Sequence, residues 1–308
     1  MLSGDDRSSL WMRNVCYITI ISLFCSITPL NASDSDWQYS VDAGLKMSLS
    51  TFSNNWSGNN IGTFIWESDF EASIQKKLFK YLENEEKLNI SYGQTSVQSK
   101  TDKRWSSLEK SEDEIEFLST NKFFIGKLIS PCISFQLNTQ FIDDEEEFNK
   151  RYLNPLLLKE SFGIVRAFGR RDKVFCNFRL SGALRQEINR FNEIVDDSTE
   201  TIVGYNTIIN KDGGAELVTE FRWKKADHFT ITSKSTIFKA LIRYNPENPP
   251  KNDYWKHPDV KWETVISSNI TSFLQFTYYF MLHYDREIDD RIRYKQTLGV
   301  GLSLSFSN

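Results

Sequence analysis

Long hydrophobic runs are what this sequence lacks most. Beyond its N-terminal segment, no stretch of the 308 residues approaches the roughly 20 apolar residues of a membrane-spanning helix. If the chain crosses a bilayer, it does so as strands. A basic excess is also missing. Lys and Arg number 37 against 41 Asp and Glu, a formal net charge of -4, so the electrostatic footprint of a nucleic-acid binder is absent. Histidine occurs only three times, leaving His228, His257 and His283 as candidate general bases. Aromatic residues, by contrast, are abundant at 14%, with 23 Phe, although the mean hydropathy is only -0.44. A polar average carrying that many aromatics fits a chain that alternates between the two.

The N-terminal segment names a compartment. "MRNVCYITIISLFCSITPLNAS" places Arg13 before an apolar run from Val15 to Leu30, followed by small residues around Ala32 and Ser33. This is the three-part form of a secretory signal peptide. The preceding "MLSGDDRSSLW" is acidic and polar, which points to Met12 as the start of the signal. The expected organisation is a signal over residues 1–33, cleaved on export, and one domain over 34–308. Cys16 and Cys25 would leave with the signal, so that Cys132 and Cys176 remain.

From Trp37 onward the sequence alternates with period two, the pattern of strands with one apolar face. Trp37, Tyr39, Val41, Ala43, Leu45, Met47 and Leu49 oppose Gln38, Ser40, Asp42, Lys46 and Ser48. Similar segments follow at about 61–79, 87–99, 111–121, 127–142, 153–168, 173–189, 212–225, 228–243, 258–268, 271–285 and 292–306, twelve in all. Those at 111–121 and 153–168 alternate poorly. Connections change character along the second half. "FGRRDK", "KKAD" and "SSNITS" are tight, whereas 143–152, 189–210, 244–258 and 286–291 are long and polar. In the first half "NNWSGNN" is short for a loop and "KYLENEEK" long for a turn. Short turns on one rim and longer loops on the other are the pattern of an outer-membrane barrel. The expected fold is therefore all-β, a transmembrane antiparallel up-and-down barrel of about twelve strands. A periplasmic sandwich would show the same alternation with its apolar face turned inward.

Several stretches, "NNWSGNN", "KSEDEIEFLS", "FQLNTQF", "IFKALIRYNPENP", "DVKWETVISSNITSFLQFTYYFMLHYDREID" and "LGVGLSLSF", resemble a Gram-negative family known as domain of unknown function 3078. They are spread from about residue 45 to 306. The resemblance implies an outer-membrane β-barrel and carries no activity with it.

The closing strand puts Tyr294, Leu298, Val300, Leu302, Leu304 and Phe306 on one face and Gly299, Gly301, Ser303 and Ser305 on the other. An aromatic terminal strand of this type resembles the signal read by the barrel-insertion machinery, although Ser307 and Asn308 follow the aromatic. The opposite faces of the strands supply a candidate lumen. Glu67, Asp69, Glu71, Glu112, Glu114 and Glu116 give an acidic side, while Arg179, Arg185, Arg222, Lys224, Arg293 and Lys295 give a basic one, with His283 on the same face. Such rows can line a narrow pore for small polar solutes. Equally, they can knit together and fill the lumen, since charges at that depth must be paired or hydrated. Cys132 falls on the lumen face and Cys176 on the lipid face of strands that another strand separates, a geometry that disfavours a disulfide. Trp37, Tyr39, Trp56, Trp66, Trp223, Trp262, Tyr278 and Tyr284 suit interfacial girdles. The acidic runs "DDEEE" and "REIDDR" suit solvated loops, with divalent-cation bridging as their sharper reading.

No nucleophile can be placed within reach of a histidine, so the sequence points to no catalytic site, and it calls for no cofactor and no resident metal. The expected surroundings are outer-membrane lipid and the assembly machinery, with the protein a monomer. A channel or an envelope-structural barrel is the leading expectation. A surface-binding barrel acting through 189–210 and 244–258 is its rival, and a barrel-embedded lipid hydrolase is the remote alternative.

Overall fold

The computed structural model describes residues 37–51, 60–125, 129–143, 150–170, 173–196, 201–225, 228–244 and 253–307. The side chains of 60, 191–196, 201–203 and 307 lie outside that description. So do the signal segment with Met12, Trp56, most of the "DDEEE" run and the middle of the 244–258 connection.

Twelve strands close into one barrel. They are β1 (Trp37–Thr51), β2 (Asn60–Phe79), β3 (Leu82–Ser99), β4 (Glu109–Phe123), β5 (Ser130–Thr139), β8 (Leu156–Gly169), β9 (Val174–Asp196), β10 (Thr201–Lys225), β11 (Phe229–Tyr244), β12 (Pro258–Asn269), β13 (Leu274–Tyr284) and β14 (Arg293–Ser307). Two short strands, β6 (Ile142–Asp143) and β7 (Arg151–Tyr152), form a separate ladder inside the connection from β5 to β8. Every barrel pair is antiparallel between chain neighbours, and β1 returns to β14. All twelve expected segments are strands, including the two that alternate poorly.

The direction of burial settles which face is which. Leu302 is 53% exposed, Phe306 64% and Phe162 66%, whereas Glu216 is only 1% exposed. Apolar residues therefore point outward and charged ones inward, the inverse of a soluble sandwich and the arrangement a bilayer demands. Aromatic pairs reinforce the outside, among them Trp262 with Phe280 at 5.8 Å and Trp223 with Phe229 at 6.0 Å.

Two connections differ from the sequence-based expectation. "KYLENEEK" is not a long turn, because β2 runs to Phe79 and β3 resumes at Leu82. Nor is 189–210 a loop: β9 and β10 extend as a hairpin, paired as far as Asp196 with Thr201. Their Asn- and Asp-rich ends continue the ladder beyond the barrel wall, where nothing selects an apolar face. With those corrections the rims divide cleanly. Connections 80–81, 124–129, 170–173, 226–228 and 270–273 lie on one rim with both ends of the barrel, and the longer ones lie on the other together with the four-residue tip of the β9–β10 hairpin.

Closure depends on small residues at the seam. A Cβ built on Gly301 would meet the Leu45 carbonyl oxygen at 2.1 Å, while one on Gly299 would lie 3.4 Å from the Lys46 Cβ. Gly301→Val is therefore expected to cost about 1–3 kcal/mol through forced displacement of the seam, and Gly299→Ala much less. Heat-modifiable gel mobility and the urea midpoint of the refolded protein check both. Equal midpoints for the two variants would contradict this account of the seam.

Candidate functional site: the charged lumen

The inward row of β4 organises the interior. Glu112, Glu114 and Glu116 alternate with outward Asp113, Ile115 and Phe117, so the three carboxylates point down one line of the lumen. Each meets a lysine from a distant part of the wall. Glu116 lies 3.4 Å from Lys234 on β11, Glu114 lies 3.7 Å from Lys261 on β12, and Glu112 pairs with Lys295 on β14. In the barrel order β4 and β12 are diametrically opposite. These bridges thus cross the lumen rather than run along its wall. Polar neighbours complete the row: Gln136 donates to Glu116 at 2.7 Å, Asn89 donates to it at 2.9 Å, and Asn138 donates to Glu114 at 3.3 Å. Lys261 also reaches Glu263 at 3.3 Å, which accepts a hydrogen bond from Tyr279 at 2.9 Å.

The remaining charges pair along the wall. Lys46 sits 3.3 Å from Glu67 and 2.6 Å from Asp69. Arg185 bridges Asp212 and Asp259, both at 2.7 Å, and stacks over the Phe238 ring. Arg179 lies 3.2 Å from Glu216, whose other oxygen pairs with Lys159. Arg293 donates to His283 Nδ1 at 3.2 Å, an arrangement opposite to that of a catalytic base oriented by a carboxylate. Glu71 faces Asp42 across the β1–β2 pair, and Arg222 and Lys224 lie inward at the short-turn end of β10. The acidic and basic rows therefore interleave as a lattice. What the sequence did not reveal is the partner set: Lys46, Lys159, Asp212, Glu216, Lys234, Asp259 and Lys261. Each stands at an inward position of its strand, and that alternation was the signal available.

Below the bridges, toward the short-turn rim, a cavity of about 30 Å³ remains, room for a single water. Glu85, Lys87, Lys122, Cys132, Asn177 and Arg179 line it. The Arg179 Nε and Asn177 Oδ1 are buried without a hydrogen-bond partner, which suits an ordered water there. Cys132 is buried in that lining and Cys176 is on the outer face, and both are free thiols.

At the long-loop rim, the β5–β8 connection is clasped to the wall. Arg151 lies 2.5 Å from Asp143, and the Asn154 amide donates to Asp143 at 2.7 Å and to Asn189 at 2.8 Å. The Asn154 side-chain oxygen accepts from the Arg190 backbone at 2.7 Å. Asp113, on the outer side of β4, accepts from the Phe141 and Ile142 amides at 2.7 and 3.0 Å.

No family model matches the chain, and no curated protein matches it. Solved structures share the barrel path at low identity. An outer-membrane channel of the COG4313 group from Pseudomonas putida F1 is 9% identical, with 92% of this chain and 100% of that one covered and a TM-score of 0.41. The β domain of the Bordetella autotransporter BrkA is 10% identical, with 89% and 100% covered and a TM-score of 0.35. The NanC porin is 7% identical, with 86% and 97% covered and a TM-score of 0.35. At such distances no residue's role carries over to this chain.

Two variants test the lattice. Glu216→Gln leaves Lys159 and Arg179 without their shared counter-charge and is expected to cost about 3–5 kcal/mol. Glu71→Gln, at an exposed position, should stay within about 0.5 kcal/mol. Urea midpoints read both. For the clasp, Asn154→Ala removes three hydrogen bonds from a buried cluster, a local loss of about 2 kcal/mol. Limited proteolysis should then cut within 140–155 on the order of tenfold faster while the barrel stays intact.

Proposed function

We propose that this chain is exported through a cleaved signal peptide and resides in the bacterial outer membrane as a narrow channel for ions and small polar solutes. The observation that supports the reading best is the combination of an apolar exterior with a charged interior crossed by Glu112–Lys295, Glu114–Lys261 and Glu116–Lys234. A barrel needed only as a membrane anchor could fill its inside with uncharged side chains. Here each crossing pair leaves the two groups partly solvated, so that hydrated ions can exchange with them. The bridges cross the lumen and favour neither sign strongly, because each brings one carboxylate and one ammonium group to the path.

Single-channel recording of refolded, heat-modifiable protein in a planar bilayer tests this. The native chain should give small discrete steps. Replacing Glu112, Glu114 and Glu116 together by Gln removes three negative charges and leaves Lys261 only its Glu263 partner, so conductance should rise and selectivity shift toward anions. A silent bilayer from both folded proteins would sink the channel reading in favour of a sealed structural barrel.

A further inference from the structure

Most of the inner wall is polar or charged, but near its long-loop end it carries an apolar recess. Ala183 on β9 lies opposite Gly214 on β10, and Gly214 lies opposite Ala240 on β11. All three stand at inward positions, in step with Arg185, Asp212 and Phe238. Three small residues side by side leave a depression in the wall. Phe238 borders it, with the Arg185 guanidinium stacked 3.7 Å over its ring. Ala183, Phe238 and Ala240 form one buried cluster, and Trp255 packs against it. That indole comes from the single 3₁₀ turn Tyr254–Lys256, which immediately precedes β12. The connection from β11 to β12 thus ends by turning back into the mouth and laying a ring on the wall.

A turn of three residues does not hold such a position by itself. Arg286, from the connection between β13 and β14, supplies the hold. Its guanidinium lies 4.8 Å from the centre of the Tyr254 ring and donates to His257 Nε2 at 2.8 Å. Glu287, the next residue, pairs with Arg243 at the end of β11, which ties both connections to the same stretch of wall. Among the described residues no carboxylate lies within ion-pair distance of Arg286 or of His257, so the guanidinium is committed to the two aromatic groups of the turn.

That commitment has a chemical condition. A guanidinium has donors only, so His257 Nε2 must accept, and the imidazole must be neutral with its hydrogen on Nδ1. A second proton would set an N–H and a positive charge against Arg286. The carboxylates nearby are already engaged: Asp253 with Lys256 at 2.7 Å, Asp259 with Arg185 at 2.7 Å, and Glu287 with Arg243, while Asp285 accepts from the Glu287 amide at 2.9 Å. Histidine is the side chain that ordinarily gains its charge between pH 8 and 5. We propose that Trp255 is a cap on the long-loop mouth, latched at neutral pH by Arg286 and released when His257 takes up a proton. As a control on entry to the lumen it deepens the channel reading and rests on it. The recess can nevertheless be probed without current, so a silent bilayer and a failed cap are separate results.

The test places a thiol under the cap. Ala240→Cys is made with Cys132→Ser and Cys176→Ser, and the folded protein in nanodiscs is labelled with a charged, water-soluble maleimide. Each rate is divided by the rate with Trp255→Ala added at the same pH, so that the reactivity of the thiol itself cancels. At pH 7.5 removal of the indole should speed labelling about tenfold. At pH 5 the difference should fall below about twofold. His257→Gln, whose amide oxygen still accepts from Arg286 and takes no proton, should keep the tenfold difference at pH 5. Equal rates with and without Trp255 at pH 7.5 would overturn the cap. A difference that persists at pH 5 with His257 in place, or that vanishes there in His257→Gln as well, would overturn the latch. Deuterium exchange of the native chain gives a reading free of substitutions. The Lys256 and His257 amides, which donate to the Asp253 and Tyr254 carbonyls at 3.1 and 2.9 Å, should lose about fivefold in protection factor from pH 7.5 to 5. Unchanged protection would overturn the release.

Discussion

A peptide N–H or C=O left bare in hydrocarbon costs several kcal/mol, and a sheet can satisfy all of them only by bringing its last strand back to its first. The pairing of β1 with β14 is that return, and the rest of the molecule depends on it. It forces an even number of strands with both ends on one rim. It also places the small residues of β14 where the β1 backbone comes closest, so that Gly301 can sit against the Leu45 carbonyl. The return covers eight pairs, where β1 and β2 share fifteen.

Closure divides the side chains into two populations with opposite requirements. Outside, apolar and aromatic groups meet lipid tails, among them Phe70 and Phe162 in the middle of their strands. Inside, a barrel of this size is too wide to be filled by alternating aliphatic side chains and too narrow to hold charges independently in water. The inward carboxylates and cations therefore find one another. Where the partners are neighbours on the wall, as in Lys46 with Asp69 or Arg185 with Asp212, the pair stiffens a local stretch of sheet. Across the lumen, the β4 pairs join opposite walls and decide how much open section is left. Glu216 is the extreme case: nearly fully buried, it is held by both Lys159 and Arg179.

The strands that alternate poorly do so for identifiable reasons. In β4 the outward row carries Asp113, Ser119 and Asn121 as well as Ile115 and Phe117, and Asp113 is committed to the amides of Phe141 and Ile142. In β8 the outward row includes Glu160 and Arg166, the latter lying over the Phe168 ring, while Leu157 and Val165 face inward. The ends of β9 and β10 read as a loop because they are rich in Asn, Asp and Glu. They remain strands because a hairpin, once started, can extend by backbone pairing without an apolar face.

Period-two alternation by itself determined the number of strands, the face each residue takes and the character of most connections, because each of these depends only on local spacing and on whether a side chain prefers water. Whether the apolar face pointed inward or outward was a matter for the tertiary structure, since the same pattern serves a sandwich and a barrel. So were the partners of the charges. Lys295 and Glu112 stand 183 residues apart, and nothing local tells one lumen lysine from another until the wall has curved and set them face to face. The β1–β14 register belongs to the same class. Both strands alternate along their length, and only closure decides that Ser40 meets Ser307 and Met47 meets Val300.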